Sequence, residues 1–169
     1  DPKYLSGAVP VVDGKVTFTL DMDVKGKTAQ EIYDILYGVL DNMTKEENQF
    51  KESKIAIVNK GEHTIAARYK EWLVFRNSAL SLDRTVFNYT IIAQATDGHV
   101  NVKLFRISYQ YELERGINDG IEVVAEEWIT DEQGLNKKKD KLAKYSGKFR
   151  KKTIDRKDNI FETITNALR

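Results

Sequence analysis

KVTFTLDMDVKGKTAQEIYDILYGVLDNM is the sequence of residues 15–43, in which a strand pattern passes directly into a helix pattern. Its first ten residues alternate between apolar and polar side chains, which is the period of a half-buried strand. Thr28 is followed three residues later by Glu31, the spacing of a capping box at a helix start. Apolar side chains then recur at helical spacing, at Ile32, Ile35, Leu36, Val39, Leu40 and Met43. Both elements need an apolar face covered, and a helix packed on a sheet covers both.

Two antiparallel hairpins are predicted after this helix. Turn sequences at Asn59-Lys60-Gly61-Glu62 and Asp97-Gly98 separate apolar runs of strand length. In the last strand the apolar residues occupy every second position up to Leu104, and from Phe105 onward they occupy the opposite set of alternate positions. This shift predicts a bulge or a strand buried on both faces. Asn118-Asp119-Gly120 reads as a further turn. The predicted strands are residues 54–58, 64–75, 86–95 and 100–111, with a candidate fifth strand in residues 121–129.

The C-terminal residues 135–169 have a helical pattern and predict a long terminal helix. Ser146-Gly147 is expected to break or kink it. The order of elements is therefore a strand, a helix, four or five antiparallel strands and a terminal helix. This order predicts an α+β fold with a single antiparallel sheet and both helices on one face. The apolar stripe of the terminal helix would consist of Leu142, Tyr145, Phe149, Ile154, Phe161, Ile164 and Leu168.

Length and composition limit the classes of protein to which this chain can belong. The chain has 169 residues, enough for one domain, and we expect residues 1–12 to be an extended N-terminal segment. Its hydrophobic share of 41% and charged share of 31% are those of a folded globular protein. With no cysteine, disulfides, thiol nucleophiles and Cys-ligated metals are excluded, and we predict no cofactor. No apolar run approaches the roughly 20 residues that cross a bilayer.

Basic residues are concentrated in KKKDKLAKYSGKFRKKTIDRK, residues 137–157. This stretch has eleven Lys and Arg against two acids, so of the net charge of +1 it carries +9 and the rest of the chain −8. It is interpreted first as the solvated outer face of a docked helix, whose lysine stems cover apolar surface. Contact with an anionic envelope surface or an acidic protein is the second interpretation, and nucleic-acid binding, which is disfavoured, the third. The candidate contacts are Lys137, Lys138, Lys139, Lys144, Lys148, Lys151 and Lys152.

Polar side chains that alternate with apolar ones along the strands predict a second surface. They should face away from the helices, on a side of the sheet open to solvent or to a partner. The candidate contacts on this open face are Arg68, Lys70, Asn88 and Gln94.

No motif for metal binding emerges. His63 and His99 each sit beside a predicted hairpin turn without a ligand partner at i+3 to i+5, so they are interpreted as surface residues. Asp21 and Asp23 resemble the start of a calcium loop, but the central glycine and closing glutamate are missing. The strict alternation makes them outward-facing strand residues.

The sequence also gives little indication of a catalytic site. Glu126, Glu127, Asp131 and Glu132, with Asp83, are the carboxylates that a glycoside-type hydrolysis would use. Asp131 and Glu132 precede a predicted helix, where negative charge is favoured structurally. Ser78 and Ser81 lack a nucleophile elbow. The aromatic side chains interpreted as core or half-core rather than stacking platforms are Trp72, Tyr109, Tyr111 and Trp128.

Four stretches of this sequence resemble a known family. They are PKYLSGAVPVVDGKVTF (residues 2–18), LVFRNSALSLDRT (residues 73–85), AEEWITDEQGLNKKKDKL (residues 125–142) and SGKFRKKTID (residues 146–155). The family is one of unknown function with a TATA-box-binding-protein-like (TBP-like) fold, found in exported proteins of Gram-negative gut anaerobes. The resemblance implies the strand–helix–four-strand–helix order and a removed signal peptide, in keeping with a chain that starts at Asp1 without Met. It implies no functional residues, and a fold does not imply a function.

The leading hypothesis is a non-enzymatic, exported binding or protein-interaction domain of the bacterial cell envelope. The alternative is a hydrolase that acts on an envelope or dietary polymer through the carboxylates named above. Nucleic-acid binding through the terminal helix or the open sheet face is the third hypothesis. For location, we expect a periplasmic, cell-envelope or extracellular protein without a transmembrane segment.

Overall fold

The computed structural model describes residues 1–112 and 120–169. Most of the predicted turn at Asn118-Asp119-Gly120 lies outside them. The strands are β1 (Val11–Val12), β2 (Lys15–Val16), β3 (Phe18–Asp23), β4 (Lys54–Asn59), β5 (Thr64–Ser78), β6 (Ser81–Thr96), β7 (His99–Tyr111) and β8 (Ile121–Val124). The α-helices are α1 (Ala29–Met43), α2 (Asp131–Gly134) and α3 (Gly147–Leu168).

One six-stranded antiparallel sheet dominates the structure. Its strand order is β3-β7-β6-β5-β4, and β8 pairs with the end of β7 that β3 leaves open. A separate small hairpin is formed by β1 and β2. Helices α1 and α3 pack against each other and against the sheet, so both cover the same face. The predicted α+β fold, with one main antiparallel sheet and two helices on one face, is confirmed. No helix in the described residues is long and apolar enough to cross a membrane.

The capping box predicted at Thr28 is present at the start of α1. The Glu31 amide donates to the Thr28 hydroxyl at 3.1 Å, and the Thr28 amide donates to the Glu31 carboxylate at 3.0 Å. The apolar stripe of the helix, including Leu36 and Leu40, is buried against the sheet. At the other end of α1, the Tyr69 hydroxyl of β5 donates to the Leu40 carbonyl at 2.7 Å. The helix is therefore capped by local bonds at its start and bonded to the sheet near its end.

A bulge interrupts β7, as the phase shift in the sequence predicted. The pairing of β6 with β7 shifts register because β7 carries one extra residue, Arg106, whose φ of 53° is left-handed. Leu104 before the bulge and Ile107 after it are both buried on the helix side. Phe105 lies opposite Thr90 on the other face. The bulge thus allows both apolar phases of β7 to reach the same core.

The terminal helix was predicted from residue 135 but begins at Gly147, so the prediction for residues 135–146 is wrong. There the Asn136 side chain accepts hydrogen bonds from the amides of Asp140 and Lys141, at 3.1 and 3.3 Å. Leu135 and Leu142 pair as an isolated antiparallel bridge. An asparagine side chain that bonds to nearby backbone competes with helix formation, so the segment folds into a compact loop.

The predicted break at Ser146-Gly147 is the start of α3 rather than a kink within a longer helix. A Cβ at Gly147 would lie 2.7 Å from the Cβ of Leu142, so the loop can fold back onto the helix start only at a glycine. Tyr145, predicted on the apolar stripe, is 72% exposed. The apolar stripe that docks α3 starts at Phe149.

The N-terminal segment, residues 1–12, is not extended throughout, because it opens with a 3-10 helix at Pro2–Tyr4. A fully buried arginine of α3, Arg150, holds this segment in place. Its guanidinium donates to the carbonyls of Tyr4 and Leu5 at 2.8 and 2.7 Å, and to the carboxylate of Asp131 at 2.8 Å. These bonds join α3, α2 and the N-terminus on the helix side, and within residues 1–112 and 120–169 neither α1 nor α3 lies on the other face of the sheet.

Candidate functional site

A concave region with a volume of about 510 Å³ lies on the open face of the sheet. Cationic side chains surround it, and the polar side chains of β6 form its bottom. We call it the cationic basin. It is formed by Lys51, Lys54, Arg68, Lys70 and Arg106 around Asn88 and Thr90.

The alternation of β4, β5 and β6 places these side chains on one face. Lys54 lies directly opposite Arg68, and Arg68 lies opposite Thr90. The residues between them in sequence, such as Tyr69 and Tyr89, point to the helix side, where their rings stack with centroids 5.1 Å apart. The same stretch of sheet therefore presents an aromatic core on one side and a polar, cationic surface on the other.

The β7 bulge supplies the fifth cation. As the extra residue of the bulge, Arg106 is placed on the rim of the basin, with its guanidinium 5.3 Å from the ring centre of Phe105. A left-handed backbone at a non-glycine residue costs about 1–3 kcal/mol, and such positions cluster at functional sites. Bulges commonly re-aim a side chain next to such a site.

Most of this positive charge has no intramolecular partner. Lys70 pairs with Glu52 at 3.4 Å, and Glu52 is the one carboxylate that lines the basin. Lys51, Lys54, Arg68 and Arg106 form no ion pair among the described residues. Five cations and one carboxylate give the basin a net charge of +4. Like charges directly opposite each other on a sheet are destabilising, so this arrangement weakens the fold that carries it.

Three of the four residues predicted on the open face meet in the basin. They are Arg68, Lys70 and Asn88. Gln94 lies on the same face but four residues beyond Thr90, about 13 Å along the strand at 3.3 Å per residue. Contact of these residues with a partner stays a prediction.

Sequence reasoning missed three cations of the basin, Lys51, Lys54 and Arg106. The shift in the apolar pattern after Leu104 indicated a bulge, and this was the sequence feature from which the position of Arg106 could have been predicted. Lys54 required the β4–β5 register, which places it against Arg68. No local pattern in the sequence singles out Lys51, which reaches the basin from the turn before β4.

Comparison with known proteins identifies the family. A family model described as "Domain of unknown function (DUF4468) with TBP-like fold" matches residues 18–110. The chain is also 40% identical to a DUF4468 family protein from Bacteroides ovatus, whose crystal structure has a TM-score of 0.89 to this one. That match covers 99% of this chain and 95% of the other. The chain belongs to the DUF4468 family.

A more distant structure agrees with the DUF4468 fold. A TBP-like protein from Parabacteroides distasonis, 20% identical, has a TM-score of 0.72 over 95% of this chain and 96% of that one. At this identity the likeness shows the fold alone. No curated protein matches the chain. All seven residues that define the cationic basin lie within the segment that the DUF4468 model matches.

The lysines of the C-terminal basic stretch do not share one helix face in this DUF4468 protein. Lys148 is committed within the molecule, since its ammonium donates to Asp83 at 2.8 Å and to the Tyr111 hydroxyl at 2.9 Å. Burial lowers the pKa of Lys148, but the bonds to Asp83 and Tyr111 together outweigh burial, so the pKa is raised. Contact between the lysines of the basic stretch and an anionic partner stays a prediction. Lys137, Lys138, Lys139 and Lys144 lie in the loop before α3, and Lys151 and Lys152 lie on the helix.

The candidate catalytic carboxylates have structural partners. Glu126, Asp131 and Glu132 line one cavity of about 540 Å³. The Glu126 carboxylate accepts a hydrogen bond from the Val16 amide at 2.6 Å, and Asp131 pairs with the buried Arg150. Asp131 and Glu132 occupy the first turn of the short helix α2, which differs from the prediction that they precede a long helix from residue 135. Through these bonds Glu126 helps to hold β2, and Asp131 links α2 to α3 and to the Gly7 amide of the N-terminal segment.

His99 and His63 lie in different surroundings. His99 contacts Asp21 through Nε2 at 2.9 Å and Asp23 through Nδ1 at 2.7 Å, and these bonds raise its pKa. All three side chains lie on the outer side of the sheet at its β3 edge. His63 occupies a left-handed position (φ 54°) in the β4–β5 turn. No cluster in the described residues has the geometry of a metal site.

The aromatic residues weighed as stacking platforms are occupied by other parts of the protein. Tyr109 is buried, and Trp128 packs edge-on against Phe149. Trp72 lies on the open face, but the guanidinium of Arg84 lies 3.6 Å from its ring centre. The core or half-core interpretation therefore holds for Tyr109, Tyr111 and Trp128, whereas Trp72 is half-buried beneath Arg84 outside the core.

Proposed function

We propose that this DUF4468 protein is a non-enzymatic binding module that holds an anionic ligand or an anionic group of a partner in the cationic basin. The observation that carries the proposal is the convergence of five cations, four of them without an ion pair in the described residues, around one concave region. Bound anions would relieve the repulsion between Lys54 and Arg68. Charge-assisted hydrogen bonds to such groups are among the stronger polar interactions of proteins.

The distribution of charge on the open face favours a compact anion over a long polyanion. Asp21 and Asp23 are exposed on the same face at its β3 edge, beyond the basin. A nucleic-acid duplex presents about one phosphate charge per 1.7 Å of its axis and would have to pass such carboxylates. A ligand of a few anionic groups would meet the five cations, with Glu52 as the one carboxylate beside them, and would not reach Asp21 or Asp23.

The test is an NMR titration of the backbone amides with citrate, a compact trivalent anion. Sodium chloride is exchanged for citrate at constant ionic strength, so that general screening does not change. The binding variant is the double substitution Lys54→Thr/Arg68→Thr. Its matched control is Lys103→Thr, which removes an exposed cation from the same face outside the basin. Threonine is well suited to a strand, so these changes preserve β-propensity.

We expect citrate to shift the amides around Asn88, Thr90 and Arg106 in a saturable manner. The double variant should bind at least tenfold more weakly, because hydrogen bonds to charged groups contribute about 1.5–3 kcal/mol each and 1.4 kcal/mol is tenfold in affinity. Lys103→Thr should bind like the parent protein. Non-saturable shifts spread over the whole surface, or equal affinities in the double variant and the parent, would overturn the proposal.

We further propose that the protein works outside the cytoplasm. The resemblance to exported proteins of Gram-negative anaerobes supports this location, and both structural relatives come from such bacteria, Bacteroides ovatus and Parabacteroides distasonis. Fractionation of cells that produce the full-length gene product, with immunodetection of each fraction, tests it. Recovery of the protein in the cytoplasmic fraction alone would refute export.

A further inference from the structure

The bottom of the cationic basin is polar but uncharged. Asn88 is half-buried and Thr90 is 9% exposed, and both side chains line the basin. Neither side chain forms a hydrogen bond with another group in the described residues. Asn88 offers an amide donor and acceptor, and Thr90 offers a hydroxyl that can do either. A ligand in the basin would therefore meet neutral hydrogen-bonding groups beneath the cations.

Two phenylalanine rings border this polar bottom. Phe105 lies directly opposite Thr90 on the neighbouring strand, and Phe50 lies beneath the ammonium of Lys70, 5.1 Å from its ring centre. Both rings are half-buried. Each ring adjoins a lining side chain, Phe105 next to Thr90 and Phe50 next to Lys70, without lining the basin itself.

The volume of the basin limits the size of that ligand. About 510 Å³ is within the usual range for a small-molecule site. A bare inorganic anion would leave Asn88 and Thr90 without partners other than water. A larger anion that carries several hydroxyl groups would engage the cations and the polar bottom together.

We infer that the ligand of the cationic basin is a compact, polyhydroxylated anion, that is, a sugar acid or a sugar phosphate. This inference rests on the proposed anion site and adds a ligand class to it. The carboxylate or phosphate binds among Arg68, Lys54 and Arg106, while ring hydroxyls exchange hydrogen bonds with Asn88 and Thr90. A site built to bond hydroxyl groups discriminates against analogues that lack them, because its own polar groups then stay unpaired.

The experiment compares matched probes by the same NMR titration. Glucuronate and cyclohexanecarboxylate share a six-membered ring and one carboxylate but differ in their hydroxyl groups, and glucose has the hydroxyl groups without the charge. Glucose 6-phosphate distinguishes a phosphate source from a carboxylate source. The variants Thr90→Val and Asn88→Leu remove the neutral polar groups with little change in volume, and Lys103→Thr is the control.

We expect glucuronate or glucose 6-phosphate to bind about tenfold more tightly than cyclohexanecarboxylate, since two or more additional hydrogen bonds form. Either basin variant should reduce this preference, and the two combined should nearly abolish it, whereas Lys103→Thr should preserve it. If glucuronate, glucose 6-phosphate and cyclohexanecarboxylate bind equally in the parent protein, this inference fails while the proposed anion site stands. If citrate and every charged probe fail to bind, the proposed function fails with it.

Discussion

Replacing Lys54 with threonine should stabilise the unliganded protein and lower its affinity for anions. Lys54 faces Arg68 across the β4–β5 pair, and neither has an ion-pair partner among the described residues. In a surface that serves only solubility, removing one lysine has little effect on the free energy of unfolding. Here the removal relieves repulsion from a group of cations, so stability and binding should change in opposite directions.

The expected gain follows from Coulomb's law. Directly opposed residues have Cβ atoms about 4.5–5.5 Å apart, and their flexible charged ends lie further apart, at about 7 Å. Two unit charges at that separation in water repel by about 0.6 kcal/mol. The three remaining basin cations, at about 10 Å, add about 0.4 kcal/mol each, Glu52 at a similar distance subtracts about as much as one of them, and residual screening reduces the total further. The free energy of unfolding of Lys54→Thr should therefore rise by about 1 kcal/mol at low salt.

Urea denaturation at two salt concentrations isolates this electrostatic effect. The screening length is about 30 Å at 0.01 M salt and about 3 Å at 1 M, so the gain should be present at low salt and nearly absent at high salt. Lys103→Thr makes the same residue change on the same face and corrects for β-propensity, and its salt-dependent gain should be smaller. A Lys54→Thr variant that is less stable than the parent at low salt, after this correction, would refute the reasoning about the basin.

Two further predictions concern the helix side and the β3 edge. Arg150→Met should lower the free energy of unfolding by about 3–5 kcal/mol, because it leaves the carbonyls of Tyr4, Leu5 and Ile129 without their donor and removes the partner of the part-exposed Asp131; urea denaturation measures this, and a loss below about 1 kcal/mol would contradict it. The bonds of His99 to Asp21 and Asp23 raise its pKa above the ordinary 6.5, so their stabilisation is complete below pH 6.5 and disappears as the pH rises through the raised value. An NMR titration of the His99 ring should show this raised pKa, and Asp21→Asn should bring it down toward 6.5.

Local patterns predicted the elements of the fold where one physical signal dominates. The capping box at Thr28 and Glu31 fixed the start of α1, because both hydrogen bonds are local. The phase shift near Phe105 predicted the β7 bulge, since burial on a strand depends on strict alternation. The helix predicted from residue 135 failed because an asparagine side chain and a leucine bridge, which periodicity ignores, decided the backbone there.

The candidate site was predictable only in part. Alternation placed Arg68, Lys70 and Asn88 on the open face, because the face of a strand residue follows from its parity. It could not reveal that Lys54 would stand against Arg68, since that depends on the register between β4 and β5. It also could not reveal that a bulge would place Arg106 on the same rim. Convergence in space is a property of the tertiary fold.

The stretch of sequence richest in cations and the surface where cations converge in the fold are different parts of the protein. The dense basic stretch, residues 137–157, is dispersed by folding: Arg150 is buried under the N-terminus, Arg156 pairs with the buried Glu71 at 3.0 Å, and Lys148 bonds to Asp83. The cations of the cationic basin come from widely separated positions, yet they converge with little compensation. Because the free energy of an anion site depends on unpaired charge within a few ångströms of the ligand, the basin is the better candidate for the working surface. Five of the eleven cations of the basic stretch form ion pairs in the described residues. The other six are divided between the loop before α3 and the helix itself, so their charge is spread along the chain instead of meeting around one concave region.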